Sequence, residues 1–116
     1  MRYIMLIYMN EAEAASISQE EQQAVFAAYG AFTNEIREKG IMHAGDALQP
    51  SSTARTVKVR DGKLVSTDGP FAETKEQLGG YYILDCNDWD EAVAWAAKIP
   101  TAQSGRIEVR PIMEMG

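Results

Sequence analysis

Apolar and polar residues change rhythm several times along this chain, and each change marks an element. The opening MRYIMLIYMN carries an apolar run ending at Asn10, with Tyr3 and Tyr8 alternating among aliphatic residues, so residues 2–9 read as a strand. From about Ser18 to Lys39 the period becomes helical. Val25, Tyr29, Phe32 and Ile36 form one stripe, and Glu35, Arg37 and Glu38 are solvated. Ser18 and Glu21 have the spacing of a capping box, and Gly40 sits where a C-terminal cap belongs. Residues 41–48 read as a second strand. The segment TARTVKVRDGKLVST follows as a hairpin with Asp61-Gly62 at its turn.

The next stretch, TDGPFAETKEQLGGYY, leads into a central strand at 80–86. Gly79-Gly80 marks a bulge or a close backbone approach at its start. A second helix begins at Asp88, whose spacing to Glu91 repeats the capping pattern. It runs through Trp89, Val93 and Trp95 and stops before Pro100. Residues 106–112 form a last strand with Ile107 and Val109 inward and Arg106, Glu108 and Arg110 on the other face. The pattern predicts one α+β domain over residues 1–116. Its architecture is a ferredoxin-like antiparallel sheet with two helices on one face and an inserted β-hairpin.

The first strand raises a question of assembly. Ile4, Leu6 and Tyr8 lie on one face, and Tyr3, Met5 and Ile7 on the other. Tyr81, Tyr82, Ile83 and Leu84 repeat this two-sided pattern in the central strand. Two helices cover one face only, and an uncovered apolar face is an aggregation hazard. A homodimer is expected, with Tyr3, Met5 or Ile7 among the residues it buries.

Composition narrows the function classes. The chain has 116 residues and a net charge of -6, with 11 scattered Lys and Arg residues, which argues against recognition of nucleic acid phosphates. The apolar N-terminal run is far shorter than the roughly 20 residues that span a bilayer, and it lacks a small-residue cleavage site. No membrane association is expected, and the single cysteine, Cys86, fits a reducing, cytoplasmic setting. In its apolar strand that thiol reads as buried and inert. The spacing of His, Cys, Asp and Glu suggests no metal site, and no cofactor fingerprint is present.

The candidate chemistry is sparse. His43 is the only histidine. Its ordinary pKa of about 6.5 would suit acid-base work, although a lone strand histidine is commonly structural. Asp46, three residues on, points to the opposite face of a regular strand. Asp68 precedes Gly69-Pro70, a stiff corner in which an acid commonly bonds to its own turn. Phe71 is expected to pin that corner by packing into the sheet or onto a partner. Glu73, Lys75 and Glu76 read either as a solvated ion cluster or, if covered, as ligand-binding charges with Lys75 on a carboxylate or phosphate. Asp68 is expected to face a cavity with Lys75, His43 or Arg110 among its nearest polar groups.

DGPFAETKEQLGGYYILD, with AYGAFTNEI before it and EVRPIMEM at the end, closely resembles the DGPF proteins of the YCII-related family across essentially the whole chain. The resemblance implies a ferredoxin-like fold that forms a dimeric α+β barrel, two sheets enclosing a central cavity. Members are largely uncharacterised bacterial proteins, some joined to or encoded near extracytoplasmic-function sigma factors. A His and Asp pair has been proposed as an active site for the wider group. Asp68 lies in the matching motif and takes that role by resemblance. His43 is the available histidine, where many DGPF relatives place an aliphatic residue. Two functions follow as expectations. One is binding or transformation of a small molecule in the inter-sheet cavity, with Asp68 as acid-base or anchoring group. The other is a non-catalytic interaction or regulatory module linked to such a sigma factor.

Overall fold

The computed structural model of the chain describes residues 1–115. Six strands are β1 (Arg2–Met9), β2 (Met42–Ala47), β3 (Arg55–Arg60), β4 (Lys63–Asp68), β5 (Gln77–Asp85) and β6 (Arg106–Pro111). Three helices are α1 (Glu11–Ala15), α2 (Gln19–Glu38) and α3 (Trp89–Lys98). Four strands make one sheet in the order β2-β5-β1-β6, every neighbouring pair antiparallel, while β3 and β4 pair only with each other. This order, with helices between β1 and β2 and between β5 and β6, is compatible with a ferredoxin-like α+β fold.

Local chemistry sets the ends of these elements. The Glu21 amide donates to Ser18 Oγ at 3.1 Å, and the Ser18 hydroxyl donates to the Glu21 carboxylate at 3.2 Å. Gly40 has φ of 71°, and the Gly40 and Ile41 amides donate to the carbonyls of Arg37 and Ile36, which closes α2 with a Schellman cap. Asp88 accepts from the Glu91 amide at 2.9 Å and starts α3. Asp61 and Gly62 both have positive φ, as a two-residue hairpin turn requires.

Two features depart from the expected pattern. The sequence pattern does not predict helix α1, because five residues are too few to establish a helical period. It is held by Asn10 at its N-cap and by the Glu11 carboxylate, which accepts from the Ser51 amide and hydroxyl. Strand β5 starts at Gln77 and not at 80. Its register against β1 slips at Gly79, because Ile7 faces Gly80 and Tyr8 faces Leu78. A Cβ on Gly80 would lie 2.9 Å from the Asp46 carbonyl oxygen, so the close approach read from Gly79-Gly80 is present.

The core joins the helices to one face of the sheet. Tyr3, Met5 and Ile7 of β1, Tyr82 and Leu84 of β5, and Cys86 just beyond it meet Phe32 and Ile36 of α2, Ala92 and Ala96 of α3, and Ile99. Phe32 and Tyr82 stack edge to face at 5.1 Å, as do Tyr3 and Trp89 at 5.3 Å. This corrects the expected dimer face. Tyr3, Met5 and Ile7 already lie under the helices of their own chain and are not available to a partner. The open face carries Ile4, Leu6, Tyr8, Tyr81 and Ile83, each half-buried.

The predicted stripe of α2 holds only in part. Phe32 and Ile36 are buried, but Val25 is exposed and Gln19–Ala28 has no covered residue. The chain measures 48 × 46 × 19 Å, with a radius of gyration of 16.2 Å. A compact chain of this size would measure about 13 Å. The excess comes from parts that leave the body.

Candidate functional site

The open face is built from aligned cross-strand rows. Asp46 pairs with Tyr81, Tyr81 with Leu6, and Leu6 with Glu108. One step along, Ala44, Ile83, Ile4 and Arg110 line up. An apolar floor of Ile4, Leu6 and Ile83 therefore runs between polar margins. On one margin the Tyr81 hydroxyl donates to Asp46 at 2.7 Å, and this bond to the carboxylate, which favours the protonated phenol, raises the Tyr81 pKa. On the other, Arg110 Nε donates to Glu108 at 2.8 Å.

At one end of the face, where β1 and β6 meet the loop before β5, a cleft of about 700 Å³ opens between Tyr8, Asn10, Thr74, Lys75, Arg106 and Glu108, with Glu13 and Glu76 also on its wall. A neighbouring recess of about 510 Å³ shares Tyr8 and Thr74 and is walled by Leu48, Pro70, Ala72 and Leu78. The DGPF loop thus borders the open face, and Tyr8 stands between the two hollows. Neither Lys75 nor Arg106 has an ion-pair partner among the described residues.

The residues singled out from the sequence fall in different places. Lys75 joins the cleft, and Arg110 lies on the open face paired with Glu108. Glu73 is exposed in the loop. The Asp68 side chain is 96% exposed at the base of the β3–β4 hairpin, with Arg55 Nε at 3.8 Å as its charged neighbour. Within one chain, Asp68 therefore meets neither a cavity nor Lys75, His43 or Arg110. Phe71 is 89% exposed and does not pack into its own sheet, because the corner turns the ring outward.

His43 neighbours neither Asp46 nor Asp68 as its acid, but Asp85. Its Nε2 lies 3.8 Å from Asp85 Oδ2, across the β2–β5 pair, and Asp85 also accepts from the N-terminal ammonium at 3.0 Å. The ammonium first, and His43 less so, hold the Asp85 carboxyl below its ordinary range. Beside it, Arg2 donates to both oxygens of Glu114 at 3.1 Å. The signal for this cluster is register: Met42 pairs with Leu84 and the Asp85 amide donates to the Ile41 carbonyl, so His43, the extra residue of a bulge before Ala44, lies diagonal to Asp85. Among the described residues no helix is long and apolar enough to cross a membrane.

Comparison with known sequences identifies the family. The description of the YCII-related domain matches residues 1–116. The chain belongs to the YCII-related family. Another sequence, a protein of Rhizobium meliloti (strain 1021) described only as uncharacterised, is 37% identical over 114 residues, covering 97% of this chain and 92% of its own length. The YCII-related match spans the sheet, the cleft and the hairpin alike, so all three belong to the shared domain.

Proposed function

We propose that this chain is a DGPF-type YCII-related protein that works as a homodimer, two open sheet faces enclosing a cavity that binds or transforms a small molecule. The observation that carries the reading is the open face. Ile4, Leu6, Tyr8, Tyr81 and Ile83 make an apolar floor flanked by Asp46 and by Arg106, Glu108 and Arg110. Apolar walls with a few converging polar groups are the chemistry of small-ligand sites. Lys75 and Arg106, both without an acidic partner, would take an anionic group at the cleft end. Asp68, on its stiff corner, would act as an anchoring or acid-base group once a second chain closes over it. A cytoplasmic setting fits the single, buried thiol. Exposed Phe26 and Phe71 favour a second reading, an interaction module for another protein such as a sigma factor.

Native mass spectrometry of freshly purified protein tests the proposal. The expected species is a dimer carrying a small molecule. Asp68→Asn should lose that molecule and keep the dimer, whereas Leu6→Lys should break the dimer by placing a charge on the apolar floor. A monomer at micromolar concentration removes the cavity. Retention unchanged by Asp68→Asn removes Asp68 from the site.

A further inference from the structure

The β3–β4 arm stands clear of the rest of its chain. Every residue of its strands except Thr56 is exposed. A two-stranded ribbon with nothing beneath it is marginal in water. Its register also sorts its side chains. Val57 and Ser66, and Val59 and Leu64, are cross-strand partners on one face, while Arg60 and Lys63, and Lys58 and Val65, share the other. Val57, Val59 and Leu64 are 60%, 67% and 70% exposed, so the arm presents an apolar face to water and a largely basic back.

A second unsupported surface lies on α2. Its first half, Gln19–Ala28, is exposed on all sides although it holds Ala24, Val25, Phe26 and Ala27. A groove of about 420 Å³ runs between this half-helix and the β2–β5 edge, walled by Met9, Val25, Phe26, Tyr29 and Tyr82. Helices of this length on their own are marginal, as ribbons are. Within one chain the arm does not cover the groove, since Phe26 remains 83% exposed.

Charge matches the two surfaces. The arm carries Arg55, Lys58, Arg60 and Lys63 against Asp61 and Asp68, a basic segment in a chain of net charge -6. Helix α1 and the first turn of α2 carry Glu11, Glu13, Glu20 and Glu21, and from Asn10 onward no basic residue precedes Arg37. Two acidic copies repel through most of their surfaces. Bringing the arm to the start of α2 opposes unlike charges instead.

We propose that the arm of one chain docks in the α2–β2 groove of a second copy of this chain, Val59 and Leu64 against Val25 and Phe26. The tip of the arm, where the long side chains of Arg60 and Lys63 flank the turn, then lies beside the glutamates that open α2, and the rest of its basic back stays in solvent. Strands of six residues reach about 20 Å, enough to cross a neighbouring sheet edge. The contact goes beyond the cavity reading and does not depend on what the cavity holds.

Directed disulfide formation tests it. Val59→Cys is placed on a tagged chain and Phe26→Cys on an untagged one, the two are mixed, and mild oxidant is added. Both sites are exposed, so neither cysteine threatens the fold. Cys86 stays silent, since burial pushes its thiol up to about 11. A disulfide needs its two Cα atoms within about 7 Å, so pairing reports on docking. The expected product is the mixed disulfide, in severalfold excess over either homodisulfide. Random pairing, or homodisulfides in excess, overturns the proposal. Under reducing conditions the same variants leave ligand retention unchanged, so the arm contact and the cavity can fail separately.

Discussion

The body of the molecule and its two projections obey different rules. In the body, β1, β5, the second half of α2 and α3 close on one another, and Met5, Ile36, Leu84 and Ile99 are fully buried. In the projections, β3–β4 and the first half of α2, apolar side chains of the same kinds face solvent. The local signals are equally good in both: a correct hairpin turn and a well-formed helix cap. The difference is a partner layer. Secondary structure here is specified locally, and its stability is supplied by whatever covers it.

The largest effect expected from breaking that contrast is in the body. Leu84→Ala should cost about 2–5 kcal/mol, because it leaves a cavity beneath two helices. Much smaller effects are expected at the DGPF corner in dilute, dissociated chain. There Phe71→Ala and Asp68→Ala should each stay within about 0.5 kcal/mol, since both side chains lie in solvent. Urea melts at matched low concentration check the series. A cost at Phe71 that appears only at high concentration would assign that ring to an assembly contact.

This contrast also explains what the sequence made legible. Helix caps at Ser18 and Asp88 and the Asp61-Gly62 turn are local, and all three were readable. Which face of β1 the helices take was not. Both of its faces are apolar, so a period of two is symmetric, and Phe32 and Ile36 decide the choice only through tertiary packing. Helix α1 was too short to show a period. At the candidate site, Lys75 is legible from its own loop, but its neighbours Tyr8 and Arg106 arrive from strands far apart in the chain. The proximity of His43 to Asp85 depends on strand register, which single residues do not announce. Asp68 stands out in the sequence for its corner, and within one chain it stays exposed there.

A smaller effect separates body from surface by titration. Burial first, then Glu91 and Asp85, raise the Cys86 thiol from 9.0 to about 11. The unfolded thiol therefore loses its proton first, and folding stability should decline as pH rises from 9 toward 11. The native thiol should also resist an aromatic disulfide reagent at pH 8 to roughly the extent that the fold stays closed. Rapid native reaction would place Cys86 outside the core.

Hydrogen exchange followed by mass spectrometry, at high and low protein concentration, tests most directly whether the projections are covered by a second copy. Amides of β1 and β5 should be protected at both concentrations, as parts of a body that closes within one chain. Amides of β3, β4 and the first half of α2 should exchange fast when dilute and become protected together as concentration rises. Fast exchange of the arm and half-helix at every concentration would contradict the account.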